Sequence, residues 1–212
     1  MKYHARLRAH SERGSYDRDT LHEILDESLI CHVALVQDGQ LFNIPMLFAR
    51  DGDAVLLHAS VKGRIYETLS NGSDVCIAVT LLDGIVVAKS AFHSSMNYRS
   101  AVIFGKAEPV EGREEKMSAA RVITEKMVKG RWADCRLPKE NELKSTGFLR
   151  LNINEFSCKK REGDPVEDPE DLGLPYWSGV IPLSLRNDPP QVSKTDRGRM
   201  DLPSYVRDWK IN

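Results

Sequence analysis

Residues 90–105 read "SAFHSSMNYRSAVIFG". One apolar run, "GIVVAKSAF" from Gly84, leads into this stretch, and a second, "YRSAVIFGKAEPV" from Tyr98, leads out of it. Both are rich in the branched and aromatic residues that strands favour. Between them stand His93, Ser94, Asn97, Tyr98 and Arg99, side chains that hydrogen-bond or carry charge. Such an insert is either a solvated hairpin loop or a set of groups presented to a polar, planar ligand. If Asn97 opens a strand, Tyr98 and Ser100 share one face, and Asn97 and Arg99 the other. His93 reads as an ordinary loop histidine or as a weak candidate proton donor.

Working outward, the same strand pattern recurs. "ICHVALV" from Ile30 and "LFNIPMLFA" from Leu41 flank an Asp38-Gly39 turn. Pro45 within the second run implies an edge, a bulge or an interrupted ladder. "AVLLHA" from Ala54 and "VCIAVTLL" from Val75 follow, the latter separated from "IVVAKSAF" by an expected turn at Asp83-Gly84. Six strands between residues 30 and 110, joined mostly by tight turns, predict a small antiparallel barrel rather than a βαβ sheet. Thr20 and Glu23 have capping-box spacing, and Leu21, Ile24 and Leu25 form one stripe, predicting a helix over 20–29. Further helices are expected over 62–70, with Asn71-Gly72 as its stop, and over 113–129. "GFLRLNINEFSCKKR" from Gly147 reads as a final barrel strand, and "YWSGVIPLSL" from Tyr176 as one more strand or edge segment. Between them, residues 163–175 form an acidic, proline-broken surface loop. The expected organisation is an arm over 1–19, a domain over 20–185 and a tail over 186–212, with Tyr205 and Trp209 as possible anchors to a partner.

Composition narrows the function classes. Among 212 residues, 30 Lys plus Arg face 31 Asp plus Glu, a net charge of −1. No basic footprint for nucleic acid is present at the level of the chain. Cys31, Cys76, Cys135 and Cys158 include no C-x-x-C pair, so idle or buried thiols are expected rather than zinc or a redox dithiol. The six histidines lack metal-ligand spacing, and no metal site is expected. The N-terminus has no apolar core like that of a signal peptide, and no segment reads as a membrane span. A soluble protein of a reducing cytoplasm is the expectation. There is no G-x-G-x-x-G after a strand, no phosphate-binding G-x-x-x-x-G-K-[ST] and no G-x-S-x-G.

The segment from His58 to Arg64 is more informative. A strand ends and a helix begins here, so unpaired backbone N–H groups point beyond the helix start. Ser60 can cap or donate, Lys62 and Arg64 add two cations, and Gly63 leaves room for close approach. Together they suit a phosphate dianion. The alternative is a solvated helix start with ordinary surface cations.

"LLHASVKGRIYETL" from Leu56, followed by "VCIAVTLLDGIVVAKSAFHSSMNYRSAVIFGKAEPVE" from Val75, closely resembles the pyridoxamine 5′-phosphate oxidase-like flavoproteins of the FMN-binding split-barrel fold. The branch it resembles is that of the nitroimidazole reductases, or flavin-nucleotide-binding proteins. The resemblance spans about residues 15–185 and is most specific from "TLLDG" to "NYRS". It implies a mainly β fold with peripheral helices, a six-stranded antiparallel split barrel, and a homodimer with FMN in the groove between subunits. It assigns cofactor contacts to Asn43, Ile44 and Pro45 on one strand, and to His58, Ala59, Ser60, Lys62 and Arg64 at the phosphate. Asn97 and Arg99 are candidates across the groove, and Ser100 falls where the oxidases carry a cofactor-contacting glutamine. The oxidases' C-terminal Trp and Arg substrate residues find no secure match in Trp177 and Arg186, which argues against pyridoxamine phosphate as the substrate.

The function expected is therefore an FMN-dependent oxidoreductase that takes electrons from a reduced nicotinamide and reduces a small molecule such as a nitro compound. No nucleic acid or membrane partner is expected. The alternative is a non-catalytic flavin or haem binder, for which His93 and His32 are conceivable axial ligands. Dimerisation has its own sequence argument. Runs such as "IVVAKSAF" and "SAVIFG" are apolar on both faces, whereas a small barrel has one interior.

Overall fold

The computed structural model describes residues 5–195 and 200–211. Its centre is a curled antiparallel sheet of ten strands. The principal strands are β2 (Ile30–Gln37), β3 (Gln40–Asp51), β4 (Ala54–Ser60), β5 (Asp74–Val87), β6 (Ser95–Lys106), β8 (Thr146–Asn152) and β9 (Glu155–Arg161). Short pieces β1 (Gly14–Ser15), β7 (Glu108–Pro109) and β10 (Gly179–Pro182) extend its edges. The order is β1-β9-β6-β5-β2-β3-β4-β8-β7, with β10 paired to β5. Curling brings β6 back toward β8: a Cβ on Gly105 would lie 2.7 Å from Leu151 Cδ1. The expected mainly β split barrel is what the chain adopts, with more strands than the six anticipated.

Strand alternation sorts the residues. Cys31, Val33 and Leu35 of β2, Val75, Ile77 and Val79 of β5, and Ala101 and Ile103 of β6 are buried in the barrel. Leu57, Leu149 and Leu151 complete the interior. A second cluster, Ala49, Leu56 and Phe148, lies on the other face of β3, β4 and β8. There α3 (Arg113–Met127) covers it with Ala119 and Ile123, and α4 (Glu140–Ser145) with Leu143. At roughly 1.5–3 kcal/mol per fully buried aliphatic side chain, these two clusters dominate the driving force. Burial pushes the Cys31 thiol up to about 12 and that of Cys158 up to about 11, as expected of inert core cysteines.

Three local readings change. The first helix, α1 (Arg18–Glu27), starts before Thr20, because the Asp17 carboxylate accepts from the Thr20 N–H at 2.8 Å and is the true N-cap. The turn expected at Asp83-Gly84 is a bulge within the single strand β5, where the register with β6 shifts between Leu82 and Gly84. Gly84 is needed there, since a Cβ would stand 3.1 Å from both Ile181 O and Val180 Cγ1 of β10. The final strand is two, β8 and β9, broken at Ile153–Asn154. The tail also differs from a loose one. Its helix α5 (Ser204–Arg207) brings Tyr205 to Asp134 and Arg131, and Trp209 Nε1 donates to Met127 O at 2.9 Å. Both proposed anchors hold their own chain.

Helix α2 (Arg64–Leu69) lies across one end of the barrel. Its Tyr66 ring occupies the space a side chain at position 147 would need, because a Cβ on Gly147 would fall 2.0 Å from Tyr66 Cδ2. Gly147→Ala is expected to destabilise by about 1–3 kcal/mol through overpacking. Tyr66→Ala in the same chain should recover part of that loss. Urea unfolding of the single and double variants measures both effects.

Candidate functional site

Strand β3 changes partners midway. Gln40–Leu47 pair with β2, whereas Phe48–Asp51 pair with β4. Beyond Leu57, β4 continues to Ser60 against β8 alone. A groove therefore opens between residues 41–47 of β3 and the end of β4. The Asp38-Gly39 turn, with φ of 52° and 77°, is a two-residue hairpin closed by Gln37 and Gln40. With that register, positions 41, 43, 45 and 47 turn their backbone polar groups away from β2 and into the groove. Pro45 falls at one of them, so its missing N–H removes no bond from the β2 ladder.

Four of the expected site residues share one face here. Asn43 and Pro45 are exposed, Ser60 is exposed at the strand end, and His58 is half-buried between them and the α3 face. His58 Nδ1 is buried without a hydrogen-bond partner among the described residues. Such an atom is a place where a polar ligand can supply the missing bond. Ile44 and Ala59 point the other way and pack against the barrel core. Lys62 is exposed and its ammonium has no carboxylate partner among the described residues, while its N–H donates to Ser60 Oγ at 3.3 Å. Arg64 caps the hairpin end: its guanidinium sits 3.7 Å from the Phe42 ring centroid, and Nε donates to Gln37 Oε1 at 2.7 Å.

The residues expected from β6 are engaged elsewhere. Asn97 is buried, accepts from Arg161 Nη1 and donates to Gly163 O at 3.1 Å. Arg99 closes the opposite barrel end as a fork between Glu27 of α1 and Asp83 of the bulge. Those two carboxylates raise its pKa further. Ser100 Oγ donates to Lys159 O at 3.3 Å. His93 Nε2 lies 3.0 Å from Asp168 Oδ2, in the acidic loop. Beside it, Lys89 donates through its N–H to Glu167 and through Nζ to Leu174 O and Tyr176 O. The polar insert is thus a seat for the chain's own residues 163–176. The acidic composition of that loop and the Lys89–His93 pair were the sequence signal for this contact.

A larger feature escaped the sequence reading. Pairing of β2 with β5 stops at His32–Ala78, while β5 runs on through Thr80 and Leu82 to the bulge. The resulting notch, about 860 Å³, is lined by aliphatic side chains such as Leu29, Leu82, Leu183 and Ile211, by His32, and by the ion-paired Glu27, Arg99 and Asp83. It needs the tail, whose course the sequence pattern does not specify. Among the described residues no group of three or more His, Cys, Asp or Glu forms a metal site, and no helix is long and apolar enough to cross a membrane.

Burial lowers the pKa of His58. A histidine depressed in the folded state stabilises fully above its unfolded value of about 6.5, and this contribution is lost as pH falls through the folded value. Chemical denaturation between pH 7.5 and 5 should show stability falling with pH, and less steeply in His58→Gln.

The chain aligns over 95% of its length with 94% of a flavocytochrome from Azotobacter vinelandii, at 33% identity and a TM-score of 0.91. It aligns over 92% with 96% of a FAD and haem binding protein from Mycobacterium smegmatis, at 34% identity and a TM-score of 0.88. A candidate 5-nitroimidazole antibiotic resistance protein from Bacteroides thetaiotaomicron shares the fold at 23% identity and a TM-score of 0.59, over 69% of this chain and 85% of that one. No curated protein matches the chain. The family model described as pyridoxamine 5′-phosphate oxidase matches residues 17–160, and the chain belongs to that family.

Proposed function

We propose that the protein is a flavin-dependent oxidoreductase that also holds a haem. The observation that carries this reading is the likeness, over more than nine-tenths of both chains, to the FAD and haem binding protein of M. smegmatis. That likeness moves the expected flavin from FMN to FAD. The ribityl phosphate is common to both, so the residues assigned to it serve either.

The groove beside β3 fits such a ligand. The backbone groups of Asn43 turn away from β2 toward the polar edge of such a ring, and the orphaned His58 Nδ1 lies on the same face. Ser60 and Lys62 offer a hydroxyl and an uncommitted cation to a phosphate. Arg64, stacked on Phe42, adds positive charge with its Nη groups unbonded among the described residues. A flavin bound there supplies hydride and one-electron chemistry. The protein's share is to position the ring against a fixed strand edge and to neutralise the phosphate. Asn97 and Arg99 contribute indirectly, by fixing the acidic loop and the barrel end. A reduced nicotinamide is the expected donor. Nitro compounds and quinones are the acceptors to assay first.

A second copy of the chain covers the outer face of β2 and β3 in this proposal. Val36 and Leu41 are more than half exposed there, 51% and 72%, on the same side as Asn43 and Pro45. Apolar side chains ringing a ligand groove are what a subunit interface buries.

The visible spectrum of the purified protein tests the main reading, with flavin bands and a Soret band both expected. Chromatography of the chromophore released by denaturation should yield FAD; a protein that takes up no flavin on reconstitution defeats the proposal. Each charge-assisted phosphate contact contributes about 1.5–3 kcal/mol. Lys62→Ala with Arg64→Ala should therefore weaken flavin binding at least about tenfold, with the fold intact by circular dichroism. Sedimentation across a dilution series, read at protein and flavin wavelengths, should show a flavin-loaded dimer; a flavin-loaded monomer would remove the second copy from the site.

A further inference from the structure

The last stretch of chain, residues 200–211, lies over cavities rather than over the core. Its helix α5 is a single turn, and no residue from 200 to 211 is buried. Three cavities meet along it. One of about 610 Å³ runs between Tyr205 and Trp209 on one side and Lys126 and the end of α1 on the other. The second is the notch of about 860 Å³, and the third, of about 710 Å³, lies between Arg186 and the residues from Arg207 onward. Ile211 lines all three. With Glu27 and Leu29 it forms the boundary that the first cavity and the notch share. Folded interiors pack at the density of organic crystals. An element bordered by voids on three sides is therefore not part of the core.

The tail is held by a small set of polar ties. Trp209 Nε1 donates to Met127 O at 2.9 Å, and Asn187 Nδ2 donates to Trp209 O at 3.1 Å. Tyr205 OH donates to Asp134 Oδ2 at 2.7 Å and accepts from Arg131 Nη1 at 3.0 Å. All four bonds are exposed, so water replaces each of them when the tail lifts, and no buried polar group is orphaned. Strand β2 beside it is different in kind: it is paired on both sides, and its Cys31 and Val33 are fully buried. Segments with few buried contacts and exposed hydrogen bonds open at low free energy, and lids are drawn from them.

We propose that residues 203–211 are a displaceable gate on small-molecule access to the notch, with Ile211 as its plug. Closed, Ile211 separates the notch from the cavity over Lys126. Lifted, the tail joins the two and opens a path to Leu29 and to the Glu27–Arg99 pair. The notch is worth gating, because its volume falls within the range of roughly 300–1,000 Å³ for small-molecule sites. Its lining mixes aliphatic side chains with the hydroxyls of Thr80 and Ser184 and the ion-paired Glu27, Arg99 and Asp83. The gate stands independently of the flavin and haem readings.

Two measurements on the full chain test it. Hydrogen exchange of the wild type needs no variant: the amides of residues 206–209 should exchange far faster than those of β2 and β5. For access, Leu29→Cys places a thiol at the shared boundary, and its alkylation by N-ethylmaleimide is followed peptide by peptide by mass spectrometry. Adding Tyr205→Ala and Trp209→Ala should speed that reaction at least about tenfold, since each lost hydrogen bond holds the tail several-fold. Ile211→Ala, which leaves every tie in place, should speed it without changing exchange in the tail. Cys31, buried in the barrel, should stay unlabelled throughout, which separates lifting of the tail from unfolding. Tail amides as protected as those of β2, or an alkylation rate at position 29 unmoved by loss of the anchors, would overturn the gate. A rate that rises with the anchor changes but not with Ile211→Ala would keep the gate and remove Ile211 as its plug. Where a variant unfolds, exchange in the wild type decides.

Discussion

The arrangement depends on one constraint: β3 cannot satisfy β2 and β4 along the same length. Its first eight residues follow β2 and its last four follow β4, so the barrel is split where the partner changes at Leu47–Phe48. A buried strand with unpaired peptide groups would cost about 1–3 kcal/mol for each orphan. The split is tolerable because its open edge faces outward, where water, a ligand or a second chain can bond to it. The proline at position 45 sits where its lack of a donor does no harm to the β2 ladder, and it also keeps the edge from recruiting a stray strand. A groove with fixed dipoles on one wall and the cationic turn of Lys62 near its end follows from that single change of partner.

The other end of the barrel shows the same economy in charge rather than hydrogen bonding. The bulge at Asp83 turns β5 so that its carboxylate meets Arg99, whose fork also takes Glu27 at the end of α1. One guanidinium thereby ties a helix, a bulge and a strand together. These groups are only partly exposed, so the network is less screened than a surface pair and its geometry is bidentate. By holding the bulge, it sets where β10 joins β5 and where the chain continues to Leu183 and Leu185. The notch beside His32 exists because β5 outruns β2 and this segment walls the gap.

The barrel was legible in the sequence because its strands carry apolar side chains at period two, and its turns carry Gly at positive φ, as at Gly39 and Gly52. The segment at the end of β4 was legible because Ser60, Lys62 and Arg64 fall within five residues of chain and need no tertiary information to be seen together. Three things were not. The Asp83 bulge has the Asp-Gly signature of a hairpin turn, and only the arrival of β10 distinguishes the two. Arg99 and Asn97 carry the residue types of a ligand site, but their partners, Glu27 and Arg161, lie more than sixty positions away, where local pattern has no reach. The tail is polar and proline-containing, so nothing in its composition announces that Trp209 and Tyr205 return it to the end of α3.

Two properties distinguish the two ends physically. In the groove, the protein offers fixed peptide dipoles, a hydroxyl and uncommitted cations on a strand edge, a setting that favours a polar ring and a phosphate. In the notch, it offers aliphatic side chains beside the ion-paired Glu27–Arg99–Asp83 network, with the His32 ring unbonded among the described residues. The two environments are linked through β2 and β3 themselves: His32 and Pro45 are direct cross-strand partners. The His32 imidazole, which lines the notch, and the edge that lines the groove therefore belong to one pair of strands. Positions 32 and 45 are therefore fixed relative to each other by the backbone of one hairpin rather than by loops.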